Sequence, residues 1–472
     1  MAREERGVAP RVGVTATAFA ADEIPPPLSQ AAEGAHVTFG RWQRTTVAAM
    51  LLGILVLGVL SPDHLFWGLL GVFYSVFVAG AAIRLAAILT PHRKWACPPL
   101  VDQDLPHYTL IVPLYREAEV ASELVANLAR LDYPRDRLQA LIVLEADDLA
   151  TRSAFHALDL PAFIQVLVAP PGEPRTKPRA CNIALELAKG TLVVIYDAED
   201  APDPLQLREA AARFASEPAD LACLQAPLRI ETPRHLAFIA EQFRLEYAAL
   251  FQVLLPAYAR WGLPFPLGGT SNHFKIEALR AVGGWDAYNV TEDADIGFRL
   301  ASAGYRLDVI ERPTLETAPT SLDQWGPQRA RWIKGHLQTL SVHSRGETRR
   351  QPRALLALIM TLGVPIAASN LHAPAMLIAG VGVAVNWMAD GELSVTLADL
   401  TLYMFGWSVS AACAAIGLRR SGEQPRFLHL FGMVGYWMMW IFASPRAVWQ
   451  FFFAPHQWDK TTHAPRTGRP TP

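Results

Sequence analysis

Charge is scarce in this sequence. Its 472 residues carry 42 Lys and Arg against 44 Asp and Glu, 18% in all, whereas a soluble domain carries roughly 25%. The net charge of −2 provides no basic field, so no nucleic acid partner is expected. Cysteine is scarce as well. Cys97, Cys181, Cys223 and Cys413 form no CxxC pair, which argues against a disulfide framework and against a zinc site. Four isolated thiols suit a reducing compartment. No internal repeat is visible. No secretory signal is expected, because the first apolar run begins too late for a normal n-region.

Apolar residues are abundant, at 51% of the chain, and the mean hydropathy is positive, +0.18. Residues 1–40, rich in Ala, Pro and charge, read as a disordered cytosolic tail. Residues 45–90 hold two apolar runs, Thr46–Leu60 and Leu65–Leu89, separated by Ser61-Pro62-Asp63-His64. A bilayer core takes about 20 apolar residues, so they read as a membrane hairpin. Arg41 and Arg44 before it, and Arg84, His92, Arg93 and Lys94 at or after its end, place both ends in the cytosol. Apolar runs return in residues 354–443 as Ala354–Ala368, Ala373–Met388, Leu397–Leu418 and Phe427–Ala443, three to four spans. Charge placement there is self-contradictory. Four spans put Arg419, Arg420 and Arg426 outside; three put the C-terminal tail outside. Residues 444–472 read as an interfacial helix, Arg446–Ala454, followed by a tail.

Between the apolar blocks, residues 101–347 alternate strand-like and helix-like runs. Strands are expected at His107–Leu114, Leu138–Leu144, Phe163–Val168 and Thr191–Tyr196, with helices between them. The alternation implies an α/β domain with a mainly parallel sheet, whose ligands bind at the carboxyl ends of the strands. Two acidic clusters fall at such ends: Glu145-Ala146-Asp147-Asp148 and Asp197-Ala198-Glu199-Asp200. Asp197 and Glu199, at alternate positions, can converge on one Mg2+ or Mn2+; a plain surface turn would look the same. Asp147 and Asp148 suit a nucleoside, and Asp148 equally suits a helix N-cap. Arg175-Thr176-Lys177-Pro178-Arg179 precedes a helix and suits a diphosphate. The small-residue loop Gly268-Gly269-Thr270-Ser271-Asn272 can approach hydroxyls closely. Thr291-Glu292-Asp293-Ala294-Asp295 opens a helix, and Asp293 or Asp295 can take a proton from a hydroxyl nucleophile. Gln328, Arg331 and Trp332 follow, suited to a sugar and a departing phosphate.

In order, these pieces are Val112-Pro113-Leu114-Tyr115-Arg116-Glu117, an acidic pair, Lys177, a DxD-like triplet, a Gly-rich loop, Thr-Glu-Asp and Gln-x-x-Arg-Trp. That order resembles the processive membrane-bound family 2 glycosyltransferases, such as cellulose synthase and hyaluronan synthase. Of these the chain is most similar to bacterial exopolysaccharide glycosyltransferases of the XagB type, on its TKPRACN, YDAED, LGGTSNHF and NVTEDAD stretches and the terminal Trp458 to His463. The resemblance implies a GT-A fold, and an inverting transfer of a hexose (glucose or N-acetylglucosamine-like) from a UDP-sugar to a growing exopolysaccharide. The transfer would take place at the bacterial inner membrane, with the catalytic domain cytosolic. Alternatives are a single transfer to a lipid carrier and a non-catalytic sensor or scaffold. By position, the resemblance implies Tyr115, Glu117 and Asp147 or Asp148 for the nucleoside, and Lys177 and Asp197 on the donor. Asp197, Glu199 and Asp200 would bind the metal, with Asp293 as base beside Glu292. Gln328, Arg331, Trp332, Gly269, Thr270 and Ser271 would serve acceptor and diphosphate. A glycolipid or polysaccharide acceptor, membrane lipid and an export subunit are the implied partners. The triplet Asp-Ala-Glu and the cysteine-free acceptor loop depart from the family pattern.

Overall fold

The computed structural model describes residues 17–18, 34–93, 95, 98–231, 237–345, 351–391 and 396–457. Most of the N-terminal tail, Cys97 and the Trp458–His463 motif lie outside the described residues. Residues 34–40, assigned above to the disordered tail, are packed on the chain instead. Ala35 is buried, and its amide donates to Asp286 Oδ2 at 2.6 Å.

Helices α1 (Arg41–Leu60) and α2 (Pro62–Leu89) precede an α/β domain. Its strands are β1 (Thr17–Ala18), β2 (Tyr108–Leu114), β3 (Leu138–Glu145), β4 (Ile164–Ala169), β5 (Leu192–Ile195), β6 (Ala201–Pro202), β7 (Leu221–Gln225), β8 (Leu228–Ile230), β9 (Asn272–Lys275), β10 (Arg306–Val309) and β11 (Thr314–Glu316). The main sheet runs β1-β4-β3-β2-β5-β9-β7-β10, and β6-β11-β8 form a small second sheet. Pairing is parallel from β4 through β5, and β9 runs antiparallel to both its neighbours. The expected strands are therefore present, on a mixed, mostly parallel sheet.

The central strands are continuous apolar runs because both faces are covered. Ile111, Leu141, Val143, Val193 and Ile195 face one core. Their neighbours Leu110, Val112, Ile142, Leu144 and Val194 face the other, as period-two alternation requires. This leaves only the strand ends free to carry polar groups. Three helices bring further groups to those ends: α3 (Lys177–Glu186), α4 (Glu292–Ser302) and α5 (Leu322–Arg345).

Past α5, the two apolar runs at 354–388 form one continuous helical stretch instead of two separate segments. It ends in α6 (Val364–Asp390). Then come α7 (Leu397–Arg420), α8 (Phe427–Met438) and α9 (Trp440–Phe453). Among the described residues, five helical segments are long and apolar enough to cross a membrane: Arg41–Leu60, Pro62–Leu89, Pro352–Ala389, Asp399–Arg420 and Phe427–Phe453.

Where these segments meet the α/β domain is informative. Gln43 Nε2, at the start of α1, donates to the Ser341 carbonyl at 2.9 Å. Trp261 Nε1 donates to Thr90 Oγ1, just past α2, at 3.1 Å. At the end of α7, Arg420 donates to the Gln252 carbonyl at 2.6 Å, and Glu423 pairs with Arg229 at 3.1 Å. Past α9, the Gln457 and Pro455 carbonyls accept from Lys334 and Gln338 at 2.5 and 2.9 Å. Both ends of Phe427–Phe453 thus touch the α/β domain.

Candidate active site

The carboxyl ends of β2, β3 and β5 open onto one cavity of about 740 Å3. The β2 and β3 ends contribute Tyr115, Glu117 and Glu145, and the turn after β5 contributes Asp197 and Glu199. Lys177 opens α3, where helix amides already favour an anion. Its ammonium donates to Asp197 Oδ1 and, at 2.6 Å, to the Gly269 carbonyl. It lies 4.0 Å from Glu292. Burial opposes its charge, but Asp197 and Glu292 override that, and its pKa is raised.

Gly269 joins the two halves of the site. A Cβ there would lie 3.3 Å from Asp293 Oδ2 and 4.0 Å from Asp197 Oδ2. The first turn of α4 supplies Glu292 and Asp293, both on the cavity wall. Burial raises both carboxyls, Glu292 to about 7, with Lys177 the main opposing influence. Gln328, Arg331 and Trp332 of α5 complete this end. Gln328 Oε1 is buried and has no hydrogen-bond partner among the described residues.

Several residues named from the sequence lie elsewhere. Asp295 is fully buried, held by Arg299 at 3.1 Å and by His343 Nε2 at 2.9 Å. It faces away from the cavity as a structural ion pair. Asp148 is the N-cap of Leu149–His156, accepting from the Thr151 amide at 3.2 Å and from the Arg116 amide. Asp147 pairs with Arg175 at 2.9 Å, and neither Asp147 nor Asp148 lines the cavity. Asp200 is buried and accepts from the Asp197 amide at 2.7 Å and from Thr270. Thr270 and Ser271 are likewise buried, with Ser271 Oγ 2.6 Å from Thr314 Oγ1. These three side chains brace the loop from behind; only its glycines reach the cavity.

The sequence reading missed Glu145 as the acid of its cluster that faces the cavity. It also missed Glu316, at the end of β11, and His336, one turn beyond Trp332. Helical spacing from Trp332 to His336 was the available signal for the latter. Arg329 was missed as well. It makes a bidentate pair with Glu246 at 2.7 and 2.6 Å, and its guanidinium lies 4.4 Å over Trp332. It fixes the tryptophan plane at the cavity wall.

Among the described residues, no three His, Cys, Asp or Glu side chains gather as a metal cage. Asp197 and Glu199 on the wall still fit a divalent cation. Mg2+ at phosphate sites takes one or two carboxylates and completes its shell with phosphate oxygens and water.

Residues 106–335 match the family described as glycosyltransferase like family 2. This segment is a family 2 glycosyltransferase domain. The fold agrees: the mannosyltransferase PcManGT from Pyrobaculum calidifontis, solved with GDP-Man and Mn2+, superposes at a TM-score of 0.52. That match has 19% identity and covers 81% of this chain and 99% of that one. Curated relatives are glycosyltransferases too. The beta-monoglucosyldiacylglycerol synthase of Synechocystis is 25% identical, over 90% of this chain and 89% of its own length. The probable glycosyltransferase YdaM of Bacillus subtilis is 21% identical over 50% of this chain, which spans only 56% of YdaM. Cellulose synthase 2 of Novacetimonas hansenii is 26% identical over 51% of this chain and 15% of its own length. The chain carries a GT-A-like glycosyltransferase domain, and its relatives include cellulose synthases. A special closeness to the XagB type is not among these findings.

One close helix contact seats the Thr291–Asp293 end of the site. A Cβ on Gly335 would fall 2.3 Å from Thr291 Oγ1 and 2.7 Å from Thr291 Cβ. Thr291 precedes Glu292, so α5 seats the first turn of α4. Gly335→Ala should cost about 1–3 kcal/mol of stability and lower kcat more than it weakens nucleotide-sugar binding. A thermal melt and steady-state kinetics on the purified variant would show it; unchanged kcat would refute the seating role.

Proposed function

We propose that this glycosyltransferase moves a hexose, with inversion, from a UDP-sugar to a hydroxyl of a lipid acceptor held in the bacterial inner membrane. The cavity carries the reading. It starts at Asp197 and Asp293 and continues between the helices to Phe77 of α2, His372 of α6 and Ser410 of α7. Tyr115, Glu117 and Glu145 suit the nucleoside end, and Lys177 the diphosphate. Asp293 takes the proton of the acceptor hydroxyl as that oxygen attacks the anomeric carbon. The bond to the UDP oxygen breaks on the opposite face, and Lys177 and Arg331 stabilise the departing charge. Asp197 and Glu199 would hold a Mg2+ or Mn2+, which when bound offsets charge on the diphosphate.

The depth of the cavity favours a lipid. On α2 its lining stops at Val76, while the helix continues to Pro62, roughly 20 Å further at about 1.5 Å per residue. A pocket entered from the catalytic side and ending within the helices suits one headgroup. The Synechocystis relative, matched over 90% of this chain, carries the name beta-monoglucosyldiacylglycerol synthase, which is consistent.

The membrane arrangement belongs to the same reading. Residues 45–90 form a hairpin, and Pro352–Asp390 and α7 cross once each. Phe427–Phe453 lies along the membrane face under the catalytic domain. Arg419, Arg420, Arg426 and the C-terminal end then all lie on the cytosolic side, as the positive-inside rule requires.

A growing exopolysaccharide is the second reading, favoured by the Gln328-x-x-Arg331-Trp332 constellation; an export subunit would then carry the polymer onward. Membranes containing the protein, given radiolabelled UDP-sugars, separate the two. Label in a short, solvent-extractable glycolipid is expected. Label confined to insoluble polymer would overturn the lipid reading.

A further inference from the structure

A second cavity, of about 390 Å3, lies on the side of the catalytic domain that meets the membrane helices. The last turn of α2 lines it with Ala87, followed by Thr90, and the end of α7 lines it with Arg420 and Ser421. Two apolar helices end at this level, so the cavity sits at the depth of the lipid headgroups on the catalytic side. Its walls are crowded with arginine: Arg93, Arg229, Arg260, Arg306 and Arg420. Some of these are neutralised. Arg229 pairs with Glu423 at 3.1 Å, and Arg306 with Asp220 at 2.7 Å and Glu217 at 3.3 Å.

The other three have no carboxylate partner among the described residues. Arg93 lies 3.6 Å over the Trp95 ring, and Arg420 reaches only the Gln252 carbonyl. Arg260, exposed at the end of a short helix, has no hydrogen-bond or ion-pair partner described. The acids on the wall are engaged elsewhere. Glu217 and Asp308 are bound by Arg213 at 2.5 Å each, and Glu311 accepts from the Trp95 amide at 3.1 Å. Three uncompensated cations therefore border one cavity that has an apolar floor (Phe251, Val253, Pro256, Ala257). Arginine clusters of this kind suit a phosphate, which they can meet with paired N–H donors. The site is separate from the transfer cavity, and nothing in the transfer reaction uses it.

We propose that this cavity binds the phosphate headgroup of an anionic phospholipid from the catalytic-side leaflet. The guanidinium groups meet the phosphate, and the apolar floor takes the glycerol end. Such a contact would fix the catalytic domain against the ends of α2 and α7. The inference rests on the membrane reading above, and carbonate extraction of cells tests that reading separately.

The test uses the purified full-length protein in detergent and native mass spectrometry, with added phosphatidylglycerol or phosphatidylcholine. Phosphatidylglycerol should be retained in preference. Arg93→Ala with Arg260→Ala should weaken its retention roughly thirtyfold, the effect of removing two basic side chains from an anionic lipid surface. The charge-removing single variant Arg260→Gln, at an exposed position, should show part of that loss with an unchanged melting temperature. Equal retention by wild type and the double variant would overturn the proposal. So would displacement of the lipid by inorganic phosphate as readily as by glycerophosphoglycerol, because the site would then be one for a free anion. Turnover of UDP-sugar in detergent, with a neutral diacylglycerol supplied as acceptor and no anionic phospholipid added, should match wild type in both variants.

Discussion

Asp293→Asn should lower hexose transfer at least about a hundredfold, the scale of a lost general base, with UDP-sugar binding little changed. The asparagine keeps the shape of the first turn of α4 and its place 3.3 Å from the Gly269 Cβ position. What it removes, on the proposed reading, is the basic carboxylate that would take the acceptor proton. Turnover with radiolabelled donor, set beside calorimetric binding of UDP, separates the two effects. Transfer within a few-fold of wild type would sink the assignment. The pH profile gives a second check. Burial raises the Asp293 carboxyl, opposed mainly by Lys177 and also by Arg331. A base acts deprotonated, so kcat/KM should fall as pH drops through that raised value. Glu292, brought to about 7 by burial with Lys177 opposing and Asp293 adding to the rise, repels the Asp293 charge when ionised. Glu292→Gln, which mimics the protonated acid that predominates below about pH 7, should therefore leave the acid limb in place while keeping most of the turnover. A limb moved to lower pH would show that Glu292 is ionised where Asp293 titrates.

The domain was legible because its strands are short apolar runs ending in acids, and the fold places such ends together. Asp197 and Glu199 could be found that way, since alternation puts i and i+2 on one side of an extended chain. The same spacing misleads on a helix. Asp293 and Asp295 are two residues apart, which turns them about 200° around the axis. Only His343, far along the chain on α5, identifies Asp295 as the buried one. The loop Gly268–Asn272 reads as a set of hydroxyl ligands, yet the positive φ of Ser271, 56°, belongs to a turn that directs Thr270 and Ser271 inward. Polar composition could not reveal that. In residues 354–388, the polar Ser369, Asn370 and His372 look like a break between two spans. In the folded chain they lie within one helix, and Ser369 and His372 border the cavity. Their polarity thus marks a cavity wall inside a membrane segment, which sequence alone cannot tell from a loop.

Asp295→Asn is expected to destabilise the protein by about 3–5 kcal/mol at neutral pH, the cost of breaking a buried ion pair by removing one partner. Asp295 is fully buried. Burial alone would raise its carboxyl, but Arg299 and His343 hold it well below the usual carboxylate range. A depressed folded pKa contributes stability that is fully present above the unfolded value, about 3.9. That contribution is lost as pH falls through the folded value. The gap in melting temperature between wild type and Asp295→Asn should thus be constant near neutrality and should narrow below about pH 4. A gap that persists undiminished in acid would mean that packing, and not charge, is what the carboxylate provides. The network also reaches the N-terminal segment. Arg299 lies 3.9 Å from Asp286, whose carboxylate receives the Ala35 amide at 2.6 Å. Asp295 is two residues from Asp293, so a loosened α4 should lower kcat as well. His343→Gln retains a hydrogen-bonding side chain at that position, so it should cost less of both. If His343→Gln equals Asp295→Asn in lost turnover but not in lost stability, His343 acts on Asp293 by a route other than the Asp295 pair.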